Sequence, residues 1–182
     1  MQGAVDFYLS ARDTFLHTLQ MMAAAQEGKL TTTHWPSDIF LTTEPGAPGM
    51  TLRFGSAPSQ RELSEWAANA IISTFGVLAM AASAALDEAR ADYGSRYRDQ
   101  AAEHRSLRCM WYMIRCAFAH PSAGTPTWEC HNSYLGVFAL TDSFTLDGKQ
   151  LHGQPFSIDQ FGGWHQVYVL LRATNTALGL AK

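Results

Sequence analysis

Between Glu65 and Asp87 the chain carries no charged side chain over about the length of a membrane span. A stretch like that must either cross a bilayer or be covered by the rest of the protein. Its make-up points to the second outcome. Alanine is its commonest residue, with Asn69, Ser73, Thr74 and Ser83 scattered through it. Alanine adds little apolar area, and tryptophan/tyrosine belts with basic flanks are missing. The expectation is a central buried helix whose small residues let neighbouring helices approach closely, with no membrane partner.

The rest of the chain fits around such a helix. Apolar residues Val5, Tyr8, Leu9, Phe15, Leu16, Leu19 and Met22 predict a first amphipathic helix over 4–27, ended near Gly28. From Leu30 to Ser59, Pro36, Pro45, Gly46, Pro48 and Gly49 punctuate a long connection. Within it 39–42 and 50–54 are placed to pair as a hairpin. Ser59 with Glu62 makes a capping-box pattern opening the second helix, which runs to about Ala91. A turn or frayed helix at 92–99 leads to a third helix from about Gln100 to Ala119. Pro121 stops it, because the residue before proline avoids helical angles.

After the third helix the pattern becomes extended at 128–134 and 137–140, with a hairpin over 144–151 turning at Asp147-Gly148. Ser157 and Gln160 form a second capping-box pattern, and a last helix over about 163–178 buries Val167, Leu170, Leu171 and Leu178. A chain of 182 residues with 47% hydrophobic and 16% charged residues suits one globular domain, 1–182. The expected fold class is mainly α: an up-and-down bundle of about four main helices with a small β-hairpin appendage after the third.

Charge and cysteine content narrow the function. A formal net charge of −3 gives no overall basic excess, so any contact with nucleic acid is local. Three cysteines, with no basic-then-apolar leader at the start, predict a reducing, cytoplasmic setting.

The third helix carries the chemistry. On a helical wheel His104, Arg108, Tyr112 and Arg115 share a sector, with Arg105 at its margin, opposite Leu107, Met110, Ile114, Ala117 and Phe118. The plain reading is a solvated face. The sharper one is an anion site, since guanidinium groups fork onto phosphate or carboxylate oxygens. His120 closes the helix, where the helix dipole favours a cation. There it serves as a C-cap on free carbonyls, or as a general acid and base. A histidine beside an arginine is a minimal metal-free kit for RNA cleavage. The imidazole takes the 2′-hydroxyl proton and the guanidinium stabilises the phosphorane-like transition state.

Arg115, four intervening residues and His120 at the end of a helix, in the run Met113-Ile-Arg-Cys-Ala-Phe-Ala-His-Pro121, resemble the motif of the HEPN superfamily. The resemblance is tight over Arg105–Pro121 and loose for the helix order. It implies a HEPN-like bundle and a metal-independent endoribonuclease without a cofactor. Arg115 and His120 would be catalytic, with Arg108 and Tyr112 lining the approach for RNA. It also implies a homodimer through this helix, in which two Arg/His pairs face one cleft. A toxin–antitoxin or defence setting, with an antitoxin-like partner, follows in the same way. Two features depart from the family pattern. Cys116 stands where active members commonly carry a polar Asn or Asp, and the β-rich segment 128–151 lies outside the minimal bundle. An alternative implied by the resemblance is a non-catalytic interaction or RNA-binding module. On an ideal helix Arg115 and His120 lie about 140° apart, so they converge only if the last turn opens or a two-fold supplies the partner's copy. Zinc held by Cys116, His120, Cys130 and His131 is the competing chemistry, though the spacing matches no strong signature.

Overall fold

The structure, a computed structural model, describes residues 2–30, 38–41, 50–53, 55–121, 124–141 and 144–180. It is mainly helical. The long helices are α1 (Gln2–Gln26), α2 (Gln60–Ala89), α3 (Ala102–Ala119) and α5 (Trp164–Ala177), and a single turn, α4, spans Gly148–Leu151. Two antiparallel strand pairs accompany them, β1 (Asp38–Leu41) with β2 (Met50–Arg53) and β3 (Val137–Thr141) with β4 (Phe144–Asp147). The four expected helices are present within a few residues of their expected ends. The first expected hairpin is present too, though its Thr42 and Phe54 ends lie outside the described residues.

Two compact units divide the chain, and the boundary passes through α1 and α2. One is Thr14–Thr74; the other joins Met1–Asp13 to Phe75–Lys182. In the Thr14–Thr74 unit, Phe15, Thr18 and Ala25 on α1 and Leu63, Ala67 and Ile71 on α2 are buried. The Gln60 side-chain amide donates to the Ala25 carbonyl at 2.5 Å. The capping box at the start of α2 is made: the Ser59 N–H donates to Glu62 Oε2 at 2.7 Å, and Ser59 Oγ accepts from the Glu62 N–H at 3.3 Å.

The larger unit has an aromatic core. Phe75 of α2 meets Trp111 and Phe118 of α3 and also Phe156 and Phe161, with ring centroids 5.8–6.2 Å apart. Gly76 permits this approach, because a Cβ there would lie 2.6 Å from Phe118 Cδ1. Phe75, Leu78, Ala79, Ala81, Ala82, Ala85 and Leu86 are all buried. Among the described residues α2 is the one helix long and apolar enough to cross a membrane by length and composition, and 56% of its most apolar window is buried in the structure. The buried Trp111 indole donates to Thr174 Oγ1 on α5 at 2.8 Å. The Tyr8 hydroxyl on α1 donates to Asn175 Oδ1 at 2.9 Å, and burial raises its pKa.

Three local expectations change. Residues 128–131 form no strand; next to the bridge between Thr127 and Pro155, the Trp128 N–H donates to the Gln154 carbonyl and the Trp128 carbonyl accepts from the Gly153 N–H, both at 2.9 Å. Asp147-Gly148 is not a hairpin turn. β4 pairs instead with β3, and the Asp147 carboxylate caps α4 by accepting from the Lys149 and Gln150 N–H groups at 3.0 and 3.3 Å. Aspartate suits a turn and an N-cap equally, and the packing of the hairpin against α3 selects the cap. The Ser157/Gln160 capping box opens a short 3-10 helix, Ile158–Phe161, rather than α5; Gly162 and Gly163, at φ 86° and 87°, turn the chain into α5.

Nor is the front of α3 solvated. Arg108 is 3% exposed, because two 3-10 turns, Ala91–Tyr93 and Arg96–Arg98, lie over it. Its guanidinium donates to Asp99 Oδ2 at 3.1 Å, to Asp87 Oδ1 at 3.3 Å and to the Gly94 carbonyl at 3.0 Å. Asp99 is fully buried, and it also accepts from Arg90 at 2.8 and 3.1 Å and from the Ala101 N–H at 3.2 Å. The hydrogen bonds from Arg90 outweigh burial and hold this carboxyl down at about 2. A carboxyl depressed in the folded state stabilises the fold above its unfolded value and stops doing so as pH falls through the folded one. Stability measured by urea unfolding should therefore drop between about pH 4 and pH 2, by on the order of 2 kcal/mol from this group. In Asp99→Asn that acid-dependent increment should vanish, while stability at neutral pH falls by about 3–5 kcal/mol because Arg108 loses a buried partner.

Candidate functional site

The last turns of α3 present Tyr112, Cys116 and His120 at intervals of four residues, which sets them in one row on the helix surface. Helical angles end at Ala119. His120 has φ −127° and ψ 63°, and its backbone N–H donates to the Cys116 carbonyl at 3.2 Å. The last turn thus opens just before Pro121, and the His120 side chain is exposed.

These three residues form one wall of a cavity of about 370 Å³. The opposite wall comes from the segment after α3: Glu129, His131, Asn132, Ser133 and Tyr134. Tyr97, from the turn that covers Arg108, completes it. The tyrosines are in contact. Tyr112 and Tyr134 have ring centroids 4.6 Å apart, and Tyr97 meets Tyr134 edge-on at 6.2 Å. Arg96 sits 4.2 Å over the Tyr112 ring and lies near enough to the Tyr134 phenol to lower its pKa. Burial raises the pKa of Tyr134 despite that cation, and the neighbouring Cys116 thiol raises that of Tyr112, so both phenols are neutral near pH 7.

The far wall depends on two backbone details. Asn132 has φ 51°, a left-handed conformation that asparagine tolerates better than most residues. Gly148 packs directly against the loop, where a Cβ would lie 1.8 Å from the Tyr134 carbonyl oxygen. Beside the cavity His152 Nδ1 accepts from the Cys130 N–H at 3.2 Å, and its ring meets His131 edge-on at 4.9 Å.

Of the four residues expected at the site, the structure brings Tyr112 and His120 together in the cavity. Arg115 does not line the cavity; it is half-buried, with its guanidinium 5.6 Å over the Tyr112 ring. The Asp99 carboxylate is taken up by Arg90 and Arg108. Arg108 is not on the approach at all: the buried Asp99 and half-buried Asp87 carboxylates hold it in the ion-pair network. Glu129, Tyr97 and Tyr134 line the cavity without having been expected there, and the sequence groups His131 with His120 and Cys116 only as a zinc ligand. For Glu129, His131 and Tyr134 the sequence signal is the density of histidine and aromatic residues at 128–134, which reads equally well as a buried strand; Tyr97 lies in the separate 96–98 turn.

No three His, Cys, Asp or Glu side chains among the described residues are grouped to hold a metal ion. Of the zinc candidates, Cys130 is buried, and burial pushes its thiol up to about 11. Cys109 is buried as well and is pushed up to about 12. Cys116 is half-buried and opens onto the cavity. Iodoacetamide should accordingly label Cys116 first in the native protein, leaving Cys109 and Cys130 protected until unfolding. Mass spectrometry of the labelled peptides reads the order. Gly148→Ala should cost about 1–3 kcal/mol in thermal or urea unfolding, because the Tyr134 loop has to move away from the new methyl group.

Searches against protein-family models, curated proteins and solved structures return no match for this chain, so its functional reading rests on the geometry of this cavity.

Proposed function

We propose that this protein is a HEPN-type, metal-independent endoribonuclease, with Arg115 and His120 at its catalytic centre. One observation carries the reading. His120, released from the end of α3, opens onto a cavity whose facing wall supplies a second imidazole, His131, and a cluster of tyrosines. Cleavage of RNA by internal transfer needs one group to remove a proton and another to deliver one, and two histidines fill those roles without a metal.

The neutral His120 imidazole takes the proton of the 2′-hydroxyl as that oxygen attacks the adjacent phosphorus. Protonated His131 gives its proton to the departing 5′-oxygen. The products are a 2′,3′-cyclic phosphate and a free 5′-hydroxyl. Arg115, whose guanidinium lies over the Tyr112 ring, stabilises the charge that builds on the non-bridging oxygens. The rings of Tyr97, Tyr112 and Tyr134 offer stacking surfaces for unpaired bases, so single-stranded RNA is the substrate class. In this reading nucleic acid is held by local arginines rather than by net charge, in keeping with the overall −3. A homodimer through α3 would bring a second Arg115/His120 pair to the cleft, and an antitoxin-like protein would act by covering it.

The test is incubation of the full chain with a single-stranded RNA oligonucleotide in the presence of EDTA. Expected are fragments ending in 2′,3′-cyclic phosphate and a bell-shaped dependence of rate on pH. His120→Ala and Arg115→Ala should each lower the rate by about 10²–10⁴-fold. Cleavage that proceeds unchanged in both variants sinks the proposal. RNA binding without cleavage favours a non-catalytic RNA-binding module, for which Cys116 beside Arg115 is the supporting feature.

A further inference from the structure

The cleavage chemistry gives roles to two histidines and an arginine, and leaves unused the one carboxylate that shares their cavity. Glu129 lines it together with His120 and His131. Trp128 and Cys130, on either side of Glu129, are fully buried, whereas Glu129 is half-buried and His131 exposed. The Trp128 backbone bonds to Gln154 and Gly153 hold the chain extended here, so alternate side chains face opposite ways. Glu129 and His131 therefore turn away from the core, to the side on which both line the cavity. No hydrogen bond or ion pair among the described residues engages the Glu129 carboxylate. An anionic group repels the phosphate of a bound RNA, so its use lies with another part of the nucleotide. A carboxylate only accepts hydrogen bonds, and its two oxygens are best satisfied by a pair of adjacent donors.

We infer that this cavity is a guanine site, in which the Glu129 carboxylate accepts from the N1–H and the N2 amino group of the base. The inference rests on the RNA reading above and names the base that the reading leaves open. Guanine is the common base whose Watson–Crick edge offers two adjacent donors. Adenine and cytosine present one amino group beside a ring nitrogen that accepts, which sets a lone pair against the second carboxylate oxygen. Uracil has a single N–H between two carbonyls. Other parts of guanine are matched as well. Asn132 and Ser133, exposed on the same wall, carry amide and hydroxyl donors suited to O6. The tyrosines of the cavity offer aromatic faces to the purine ring. At about 370 Å³ the cavity is within the range of small-ligand sites.

The test titrates the full chain with guanosine, inosine and adenosine 3′-monophosphates, followed by ¹H–¹⁵N NMR. Inosine keeps N1–H and O6 but lacks the N2 amino group. The guanosine nucleotide should bind about tenfold or more tighter than the adenosine one, the worth of a charge-assisted hydrogen bond, with inosine between them. Glu129→Gln should bring guanosine to within about threefold of adenosine, because the amide turns a donor towards one of the two base donors. Should Glu129→Gln lose the folded spectrum, Glu129→Ala is read in its place. The proposal is overturned if the guanosine nucleotide does not saturate, if it binds no tighter than adenosine, or if its preference survives in the Glu129 variant. These readouts need no cleavage. Guanine-selective binding by a chain that leaves RNA intact upholds this site and removes the nuclease reading; cleavage with no preference for guanosine does the reverse.

Discussion

The buried guanidinium of Arg108 is the constraint on which the working half of the molecule depends. A charge this deep is tolerated only when fully paired, and Asp87 on α2 with Asp99 ahead of α3 supply the pairing. The need to neutralise Arg108 therefore brings the end of α2, the segment 91–99 and the first half of α3 together. Arg90 and Arg96 join the same two carboxylates from the outside. Tyr97 rides on the segment so placed, and Arg96 reaches on to the ring of Tyr112. One ion-pair network thus sets both the register of α3 and one wall of the cavity beside His120.

A second constraint is steric. Two glycines let backbone come closer than any side chain would permit, Gly76 beneath Phe118 and Gly148 beneath the Tyr134 carbonyl. The first seats α3 against α2; the second seats the loop 131–134 against α4. Between them the cavity has rigid support on both sides, while its functional groups reach the surface: His120 and His131 are exposed and Cys116 is half-buried. That combination of a stiff frame and accessible imidazoles is what acid–base chemistry asks of a site.

Polar residues on α3 divide along its length. Arg108 is consumed by structure, Tyr112 and Cys116 are shared between packing and the cavity, and Arg115 and His120 are left at the open end. His104, at the beginning, borders a different cavity together with Glu103, Thr141 and Thr176. One amphipathic helix therefore presents a buried ion-pair anchor and two chemically distinct cavities.

The four long helices, the capping box at Ser59 and the end of α3 before Pro121 were legible in the sequence, because each rests on local rules: apolar periodicity, side-chain capping and the φ/ψ restriction at proline. The row Tyr112, Cys116, His120 was legible for the same reason, since spacing on a helix is a property of the helix alone. What only the tertiary structure decided is which partner each residue meets. Arg108 shares a wheel sector with Tyr112, and nothing local shows that distant Asp87 will bury it. His131, Tyr97 and Tyr134 reach the cavity through contacts across 15 to 37 residues of chain, and no periodicity encodes such contacts. Asp147 became a cap rather than a turn because the hairpin packs on α3, a choice between two equally good local conformations that long-range packing alone can settle.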